Sequence, residues 1–106
     1  MKEIAIFEQA GGFAENKDVA REIRLKEIIP ELNSGGIVTL DFSRVDAVTQ
    51  SFIHALISDL FRNYGASILD QVIFKACNEK IKKMINIVVD YMQEGIGDDG
   101  PSSSAS

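Results

Sequence analysis

The chain has 106 residues, of which 45% are hydrophobic and 25% are charged, and its net charge is −5 at neutral pH. These values are typical of one globular domain and exclude a chain that is disordered along most of its length. The acidic balance argues against nucleic acid or an anionic membrane as the main partner, because both require a basic surface.

The single cysteine, Cys77, excludes a disulfide framework and a cysteine-based zinc site. No apolar run approaches the ~18 residues of a membrane span, and the N-terminal segment becomes acidic too early for a secretory signal. We therefore expect a reducing, cytoplasmic location. We also expect Cys77 to be a buried and inert thiol.

Two strands and a helix are predicted in the first half of the chain. Residues 2–7 are a short β-rich run, and residues 37–42 are an almost wholly apolar run, typical of a central strand buried on both faces. Between them, Asn16 is placed to cap a helix that extends to about Leu32. Asparagine, serine and two glycines at 33–36 then close this helix.

The helix predicted to start at Asn16 has an imperfect apolar stripe. Four apolar residues share one face of it: Leu25, Ile28, Ile29 and Leu32. Val19 and Ile23 point well away from that face, and Pro30 lies inside the pattern, where it should bend or end a helix. We therefore expect a kink or an irregular first turn.

The second half predicts a helix, a strand and a further helix. Apolar residues recur at three- and four-residue steps over 49–64, and Gly65 ends this helix. Residues 71–76 are a third strand, and Asn78 is placed to cap a last helix that ends at Gly95. The apolar stripe of the last helix consists of Ile81, Met84, Ile85, Val88, Val89 and Met92.

The predicted order of elements is β-α-β-α-β-α. Strands that alternate with helices imply crossover connections and a mostly parallel or mixed sheet with packed helices. We therefore predict a single small α/β domain over residues 1–94. Residues 95–106 are rich in glycine and serine and have no apolar surface to offset the entropy of ordering, so we predict a disordered tail there.

The residues with reactive side chains do not assemble into a catalytic motif. His54 falls on the outer face of the 49–64 helix and Asp59 on a different side, so a Ser-His-Asp triad is rejected and His54 is expected to be solvated. Neither glycine pair is followed by the lysine and hydroxyl of a phosphate-binding loop. Asp41 and Asp46 are two carboxylates without a third ligand. We expect no enzyme activity, no cofactor and no metal.

The segment from Asp41 to Ser51 is the most informative part of the chain. A buried strand ends in Asp-Phe-Ser, a short loop follows, and Thr49 is placed to cap the next helix, which leaves Ser51 in its first turn. Free N–H groups and the helix dipole favour an anion there, which makes Ser51 and Thr49 candidate phosphorylation sites. The alternative is that both hydroxyls only cap the helix.

The same segment resembles the STAS superfamily, the sulfate-transporter and anti-sigma-factor-antagonist domains. Those domains have a strand and loop of the form L-D-L/F-S-G-V and a helix start D-S-S-G-L; residues 38–45 here read V-T-L-D-F-S-R-V, and residues 49–53 read T-Q-S-F-I. The closer resemblance is to the STAS-like domain family of unknown function, found in bacteria, whose hallmark is D-F-x-G-V followed by S-S-F or Q-S-F. Arg44 stands where this pattern has glycine.

The resemblance implies a sheet flanked by helices, with a partner-binding surface around the start of the 49–64 helix. In the anti-sigma-factor antagonists, a serine at that place is phosphorylated by a partner kinase of the histidine-kinase-like ATPase fold, and phosphorylation weakens binding. Gln50 aligns with this phosphoacceptor. Phosphotransfer to the usual position is therefore excluded in this chain.

We expect a non-enzymatic regulatory module that binds a partner ATPase, kinase or other regulator, and neither nucleic acid nor a membrane. The residues expected to contact the partner are Ser43, Arg44, Asp46, Thr49, Gln50, Ser51 and His54. The alternative function is a sensor of a small anion or another small ligand at the C-terminal end of the central strand, where α/β folds place ligand sites.

Overall fold

The computed structural model of the chain describes residues 2–97. The elements in chain order are β1 (Lys2–Ala5), α1 (Ile6–Ala10), β2 (Phe13–Ala14), α2 (Lys17–Ile23), a π-helical turn (Arg24–Ile28), α3 (Ile29–Asn33), β3 (Val38–Asp41), β4 (Ala47–Val48), α4 (Gln50–Tyr64), a 3-10 helix (Ala66–Asp70), β5 (Val72–Lys75) and α5 (Glu79–Gly97). α5 continues two residues past Gly95, at which the sequence predicted its end. Residues 98–106 of the predicted tail lie outside the described residues.

A three-stranded parallel sheet forms the centre of the domain. Its strand order is β1-β3-β5, and both strand pairs are parallel. The predicted α/β class and the parallel sheet are thereby confirmed. The strand predicted over residues 37–42, which is β3, is the central one, as predicted. Val38, Thr39 and Leu40 are buried, as expected for a central strand, whereas Ile37 lies outside β3 and is 39% exposed.

The two faces of this sheet differ in polarity. In register, Glu3 aligns with Thr39 and Ile73, and these residues lie on the face opposite to Leu40. Lys75 Nζ lies 2.8 Å from Glu3 Oε2, so an ion pair links β1 to β5 across β3 on the polar face. On the other face the strands pack against the helices.

β1 is shorter than the strand predicted over residues 2–7. The chain turns into α1 at Ile6, which is fully buried. Ala5 aligns with Asp41, the last residue of β3, so a longer β1 would have no strand to pair with. Gly11 ends α1 with a φ of +78°, in the left-handed region that favours glycine, and its N–H donates to the carbonyl of Phe7.

β2 and β4 form a second, two-stranded parallel sheet that the sequence did not reveal. Phe13 pairs with Ala47 and Ala14 with Val48. Strands of two residues are too short for an alternating pattern. The N–H of Thr49 donates to the carbonyl of Ala14 at 3.0 Å, so this pairing brings the start of α4 next to the segment that leads into α2.

The helix predicted from Asn16 to Leu32 is interrupted by the π-helical turn. The N–H of Ile29 donates to the carbonyl of Arg24, five residues back. Pro30, which has no N–H to donate, follows in the first turn of α3. The extra residue rotates the preceding segment by ~100° relative to a continuous helix. Ile23 is therefore fully buried and Leu25 is 47% exposed, the reverse of the prediction. The predicted irregularity is present, but it lies in the middle of the helix.

The hydrophobic core lies between the sheet and the helices. Its largest fully buried side chains are Phe42, Phe52, Phe61, Ile4, Ile6, Ile23, Ile28, Leu40, Ile53, Leu56, Leu60 and Ile68. The stripe predicted on α5 lies against this core, with Ile81, Ile85 and Val88 buried and Val89 packed half-buried beside them. Within residues 2–97, no helix has the length and apolar character needed to cross a membrane.

Arg24, in the π-helical turn, is a buried charge that the sequence pattern did not indicate. Its side chain is 9% exposed, and its Nη2 lies 3.1 Å from Asp59 Oδ2 of α4. Its Nη1 donates to the carbonyl of Ala55, while its buried Nε has no hydrogen-bond partner among the described residues. Asp59 also accepts a hydrogen bond from Arg62 at 2.8 Å. These contacts fasten the π-helical turn to α4.

Replacing Ile85 with alanine should lower the free energy of unfolding by about 2–5 kcal/mol, because it truncates a buried side chain and leaves a cavity. Ile87→Ala on the same helix is the matched control, since Ile87 is 43% exposed and should lose less than ~1 kcal/mol. Chemical denaturation at low protein concentration measures both values. Equal losses would show that α5 does not face the core through Ile85.

Asp59→Ala should cost about 1–3 kcal/mol of unfolding free energy, because the buried Arg24 guanidinium would lose its charged acceptor. Arg62→Ala removes only the exposed partner of the same carboxylate and should cost less than ~1 kcal/mol. Thermal and urea unfolding of the two variants provide the comparison. A neutral result for Asp59→Ala would mean that Arg24 finds water or another acceptor.

Candidate functional site

The turn that follows β3 is held by one carboxylate. Asp41 Oδ1 accepts a hydrogen bond from the N–H of Ser43 at 2.9 Å and another from its hydroxyl at 2.6 Å. These two hydrogen bonds lower the pKa of Asp41, and the positive charges of Lys75 and Arg44 lower it further. An ionised carboxylate therefore stands at the C-terminal end of the central strand.

Arg44 adopts a backbone conformation that favours glycine. Its φ is +69°, in the left-handed region, at the position where the resembling families have glycine. Its guanidinium carbon lies 4.3 Å from the centroid of the Phe7 ring, and its Nη2 lies 3.4 Å from Glu8 Oε2. These contacts with α1 orient a side chain that is still about two-thirds exposed.

The backbone around Asp46 is anchored on two sides. Its N–H donates to the carbonyl of Gly12 at 2.7 Å, and its carbonyl accepts from Asn78 Nδ2 at 2.8 Å. Asn78 also caps α5, as predicted, since its Oδ1 accepts from the N–H of Ile81. The main chain of the loop is thus fixed between the β2 segment and the start of α5, while the side chain of Asp46 is exposed.

Thr49 caps α4, as the sequence predicted. Its Oγ1 accepts a hydrogen bond from the N–H of Phe52 at 3.1 Å, and its side chain is half-buried. Ser51 and Gln50 in the first turn are exposed. Ser51 is therefore the more accessible of the two candidate phosphorylation sites, and phosphorylation at either stays a prediction.

A groove of about 380 Å³ lies at the start of α4. Gln50, Ser51 and His54 line it together with Ala55 and with Lys17, the first residue of α2. Lys17 follows Asn16, which caps α2 as predicted, because its Oδ1 accepts from the N–H of Asp18 at 2.8 Å. The lining side chains include a cation and several hydrogen-bond donors, so the groove suits hydrogen-bond acceptors.

The residues predicted to contact a partner form two groups in the structure. Gln50, Ser51 and His54 share the groove. Ser43 and Arg44 lie in the turn after β3, and the contacts of Arg44 extend to α1. Asp46 and Thr49 lie in the segment that joins the two groups. The additional residues that the fold supplies are Lys17 to the groove and Phe7 and Glu8 to the turn.

The other candidate residues have structural surroundings that differ from the expectations. His54 is half-buried in the groove, although it was expected to be solvated, and Cys77 is half-buried where full burial was expected. Burial raises the pKa of the Cys77 thiol, which is therefore protonated at neutral pH. Among residues 2–97, no three histidine, cysteine or acidic side chains are grouped so that they could hold a metal ion.

The comparison with known families covers all of this region except Lys17, Phe7 and Glu8. The family model for the STAS-like domain of unknown function (DUF4325) matches residues 20–82, which is more than half of the chain. The chain belongs to this family. The match extends from within α2 to the first turn of α5 and includes all the residues predicted to contact a partner, and it confirms the predicted family. No curated protein and no solved structure matches this STAS-like domain.

Ser43→Ala should raise the pKa of Asp41 toward its ordinary value, because one of the two hydrogen bonds to the carboxylate is lost. The folded-state pKa of Asp41 is lowered, so its stabilising effect is present above the unfolded pKa of about 3.9 and is lost as the pH falls through the folded value. The stability difference between wild type and Ser43→Ala should therefore shrink below about pH 4.

NMR titration of the Asp41 carboxyl carbon and urea unfolding at several pH values test this expectation. Ser67→Ala is the control, because the Ser67 hydroxyl donates to the carbonyl of Tyr64 and to no carboxylate. An unchanged Asp41 pKa in Ser43→Ala would show that the turn is held by other contacts.

Proposed function

We propose that this STAS-like domain is a non-enzymatic regulatory module that binds a partner protein through the turn after β3 and the groove at the start of α4. The partner is an ATPase of the histidine-kinase-like fold or another regulator. STAS-like domains are generally non-enzymatic. The observation that carries the proposal is the rigid frame of this surface: hydrogen bonds fix its backbone, yet the side chains of Ser43, Arg44 and Gln50 are exposed.

A fixed backbone beneath exposed side chains favours binding because little conformational entropy is lost on association. The turn is held by Asp41, and the loop at Asp46 is held from two sides. The cap of Thr49 orders the first turn of α4. The partner would thus meet a preformed surface.

The conformation of Arg44 supports a role outside the fold. A left-handed conformation costs a non-glycine residue roughly 1–2 kcal/mol. The exposed contacts with Phe7 and Glu8 stabilise the fold by no more than this cost. The ring contact contributes about 0.5–1 kcal/mol and the surface ion pair less than ~1 kcal/mol. Since glycine would serve this turn at least as well, the arginine is better explained by contact with a partner.

Charge in the groove indicates the chemistry of the partner surface. Lys17 and the N-terminus of α4 both favour hydrogen-bond acceptors or acidic groups. Gln50 keeps a neutral amide where the anti-sigma-factor antagonists carry a phosphorylated serine. Regulation by phosphorylation would therefore act through Ser51, which is exposed beside Lys17 in the same groove.

The alternative function is a sensor of a small anion or another small ligand at the C-terminal end of the central strand, and Asp41 argues against the anion. Its carboxylate has a lowered pKa and stands at that end of β3. A bound anion there would meet a like charge, which disfavours binding.

Gln50→Glu and Ser51→Asp should weaken binding of the partner at least tenfold, or about 1.4 kcal/mol, because each places a charge in the desolvated contact. Stability should stay the same or rise by about 0.3–1 kcal/mol, since the α4 dipole favours a negative charge in its first turn. The test uses a partner that co-purifies with the wild-type chain, identified by mass spectrometry and titrated by calorimetry alongside thermal unfolding.

Ser67→Asp is the matched control, because it adds the same charge at an exposed position of the 3-10 helix beyond the other end of α4. It should leave the affinity unchanged. Wild-type affinity in both first-turn variants would place the partner surface elsewhere and contradict the proposal. Unfolding of both would show that Gln50 and Ser51 serve the fold.

Arg44→Gly distinguishes an effect on stability from an effect on partner affinity more clearly than the first-turn variants do. Glycine relieves the left-handed strain, so stability should change by less than ~1 kcal/mol, while the affinity for the partner should fall. Arg44→Ala keeps the strained backbone and loses the same side chain, so it should be less stable than Arg44→Gly and bind equally weakly. Full affinity in Arg44→Gly would remove this residue from the interface.

A further inference from the structure

One face of α5 carries two exposed apolar side chains, and a third residue on that face, Met84, packs partly against the core. Ile87 is 43% exposed and Tyr91 is 62% exposed, and Met84 is half-buried beside them. These residues follow one another at steps of three and four, which is the spacing of the a and d positions of a heptad repeat. The core stripe with Ile85 lies on a different side of the helix.

Two oppositely charged residues flank this apolar seam. Lys83 precedes Met84 and Asp90 precedes Tyr91, so both occupy the same flanking position of the repeat, and both are exposed. In an antiparallel helix pair, equivalent flanking positions face each other across the seam, and opposite charges there form ion pairs. Lys83 of one helix would therefore face Asp90 of the other. Because the pair is two-fold symmetric, this contact occurs twice.

Lys80 selects the antiparallel direction over the parallel one. It is exposed and lies one step before Met84 in the seam. A parallel pair would place the two Lys80 ammonium groups against each other. The antiparallel register that pairs Lys83 with Asp90 instead places Met84 against Ile87 and Lys80 against the ring of Tyr91, where a cation is favourable.

We propose that a second copy of this chain covers the exposed face of α5, and that the two α5 helices pair antiparallel with their two-fold axis between Met84 and Ile87. Such a contact between two helices is smaller than the ~800 Å² per partner of a standard stable interface. The dimer is therefore weak and concentration-dependent. Its surface lies on α5 and not at the start of α4, so this inference does not rest on the proposed function.

Charge reversal tests the pairing in the full chain by sedimentation equilibrium. Lys83→Asp and Asp90→Lys each turn both ion pairs repulsive and should raise the dimer dissociation constant roughly tenfold. The double variant Lys83→Asp/Asp90→Lys restores opposite charges and should return the constant to near the wild-type value. A wild-type chain that is monomeric up to about 1 mM, or a double variant as weak as the single variants, would overturn the proposal.

Disulfide trapping tests the direction of the helices. In a Cys77→Ser background, chains with Lys80→Cys and chains with Tyr91→Cys should form an oxidised dimer only when the two are mixed. In the antiparallel pair each of these positions is ~16 Å along the axis from its own copy, beyond the ~7 Å reach of a disulfide. A dimer formed by Lys80→Cys alone would show parallel helices, and no dimer in the mixture would show that this face is not the contact; either result overturns the proposal.

Discussion

The pairing of β3 with both of its neighbours is the constraint on which the rest of the structure depends. Asp41 aligns with Ala5 on one side and with Lys75 on the other, so the three strands end together at one edge of the sheet. α1, the turn at Ser43 and the segment that leads to α5 all depart from this edge. The contacts of Arg44 with α1 and of Asn78 with the carbonyl of Asp46 are consequences of that common edge. The register of the three strands therefore brings the segments of the candidate surface together at one edge of the sheet.

The π-helical turn also decides which side chains of this helix are buried. One extra residue in the turn brings Ile23 to the same side as Ile28, and both are fully buried. The same turn buries Arg24, whose guanidinium forms an ion pair with Asp59 of α4. Burial of a charge costs free energy unless it is paired, and the exposed hydrogen bond from Arg62 keeps the pairing carboxylate in place. An ion pair between segments far apart in the chain thus joins the π-helical turn to α4, the helix whose first turn lines the candidate groove.

The backbone conformation of Arg44 accounts for the glycine that the STAS-like pattern has at this position. The STAS-like pattern that this segment resembles has glycine at this position, and glycine suits it because the turn passes through the left-handed region at Arg44. In this chain an arginine adopts that left-handed conformation and adds a long, exposed cation to the turn. The arginine therefore changes the surface that this turn presents.

The amino-acid sequence by itself determined the alternation of strands and helices, the caps at Asn16, Thr49 and Asn78, and the family. These features depend on local periodicity, on hydrogen bonds within one turn and on a short contiguous motif, all of which can be read along the chain. The same reasoning placed the partner surface around the start of α4, a placement that remains a prediction.

Only the tertiary structure decided where β1 ends, which side of the helix around Ile23 is buried, and which distant residues complete the candidate surface. β1 ends where β3 has no further residue to pair with. The buried face of the helix shifts at the π-helical turn, which no local sequence pattern predicted. Lys17 lines the groove because the pairing of β2 with β4 places the segment before α2 next to the start of α4. Each of these outcomes depends on contacts between residues that are remote in sequence, and a pattern read along one segment contains no information about its partner in another.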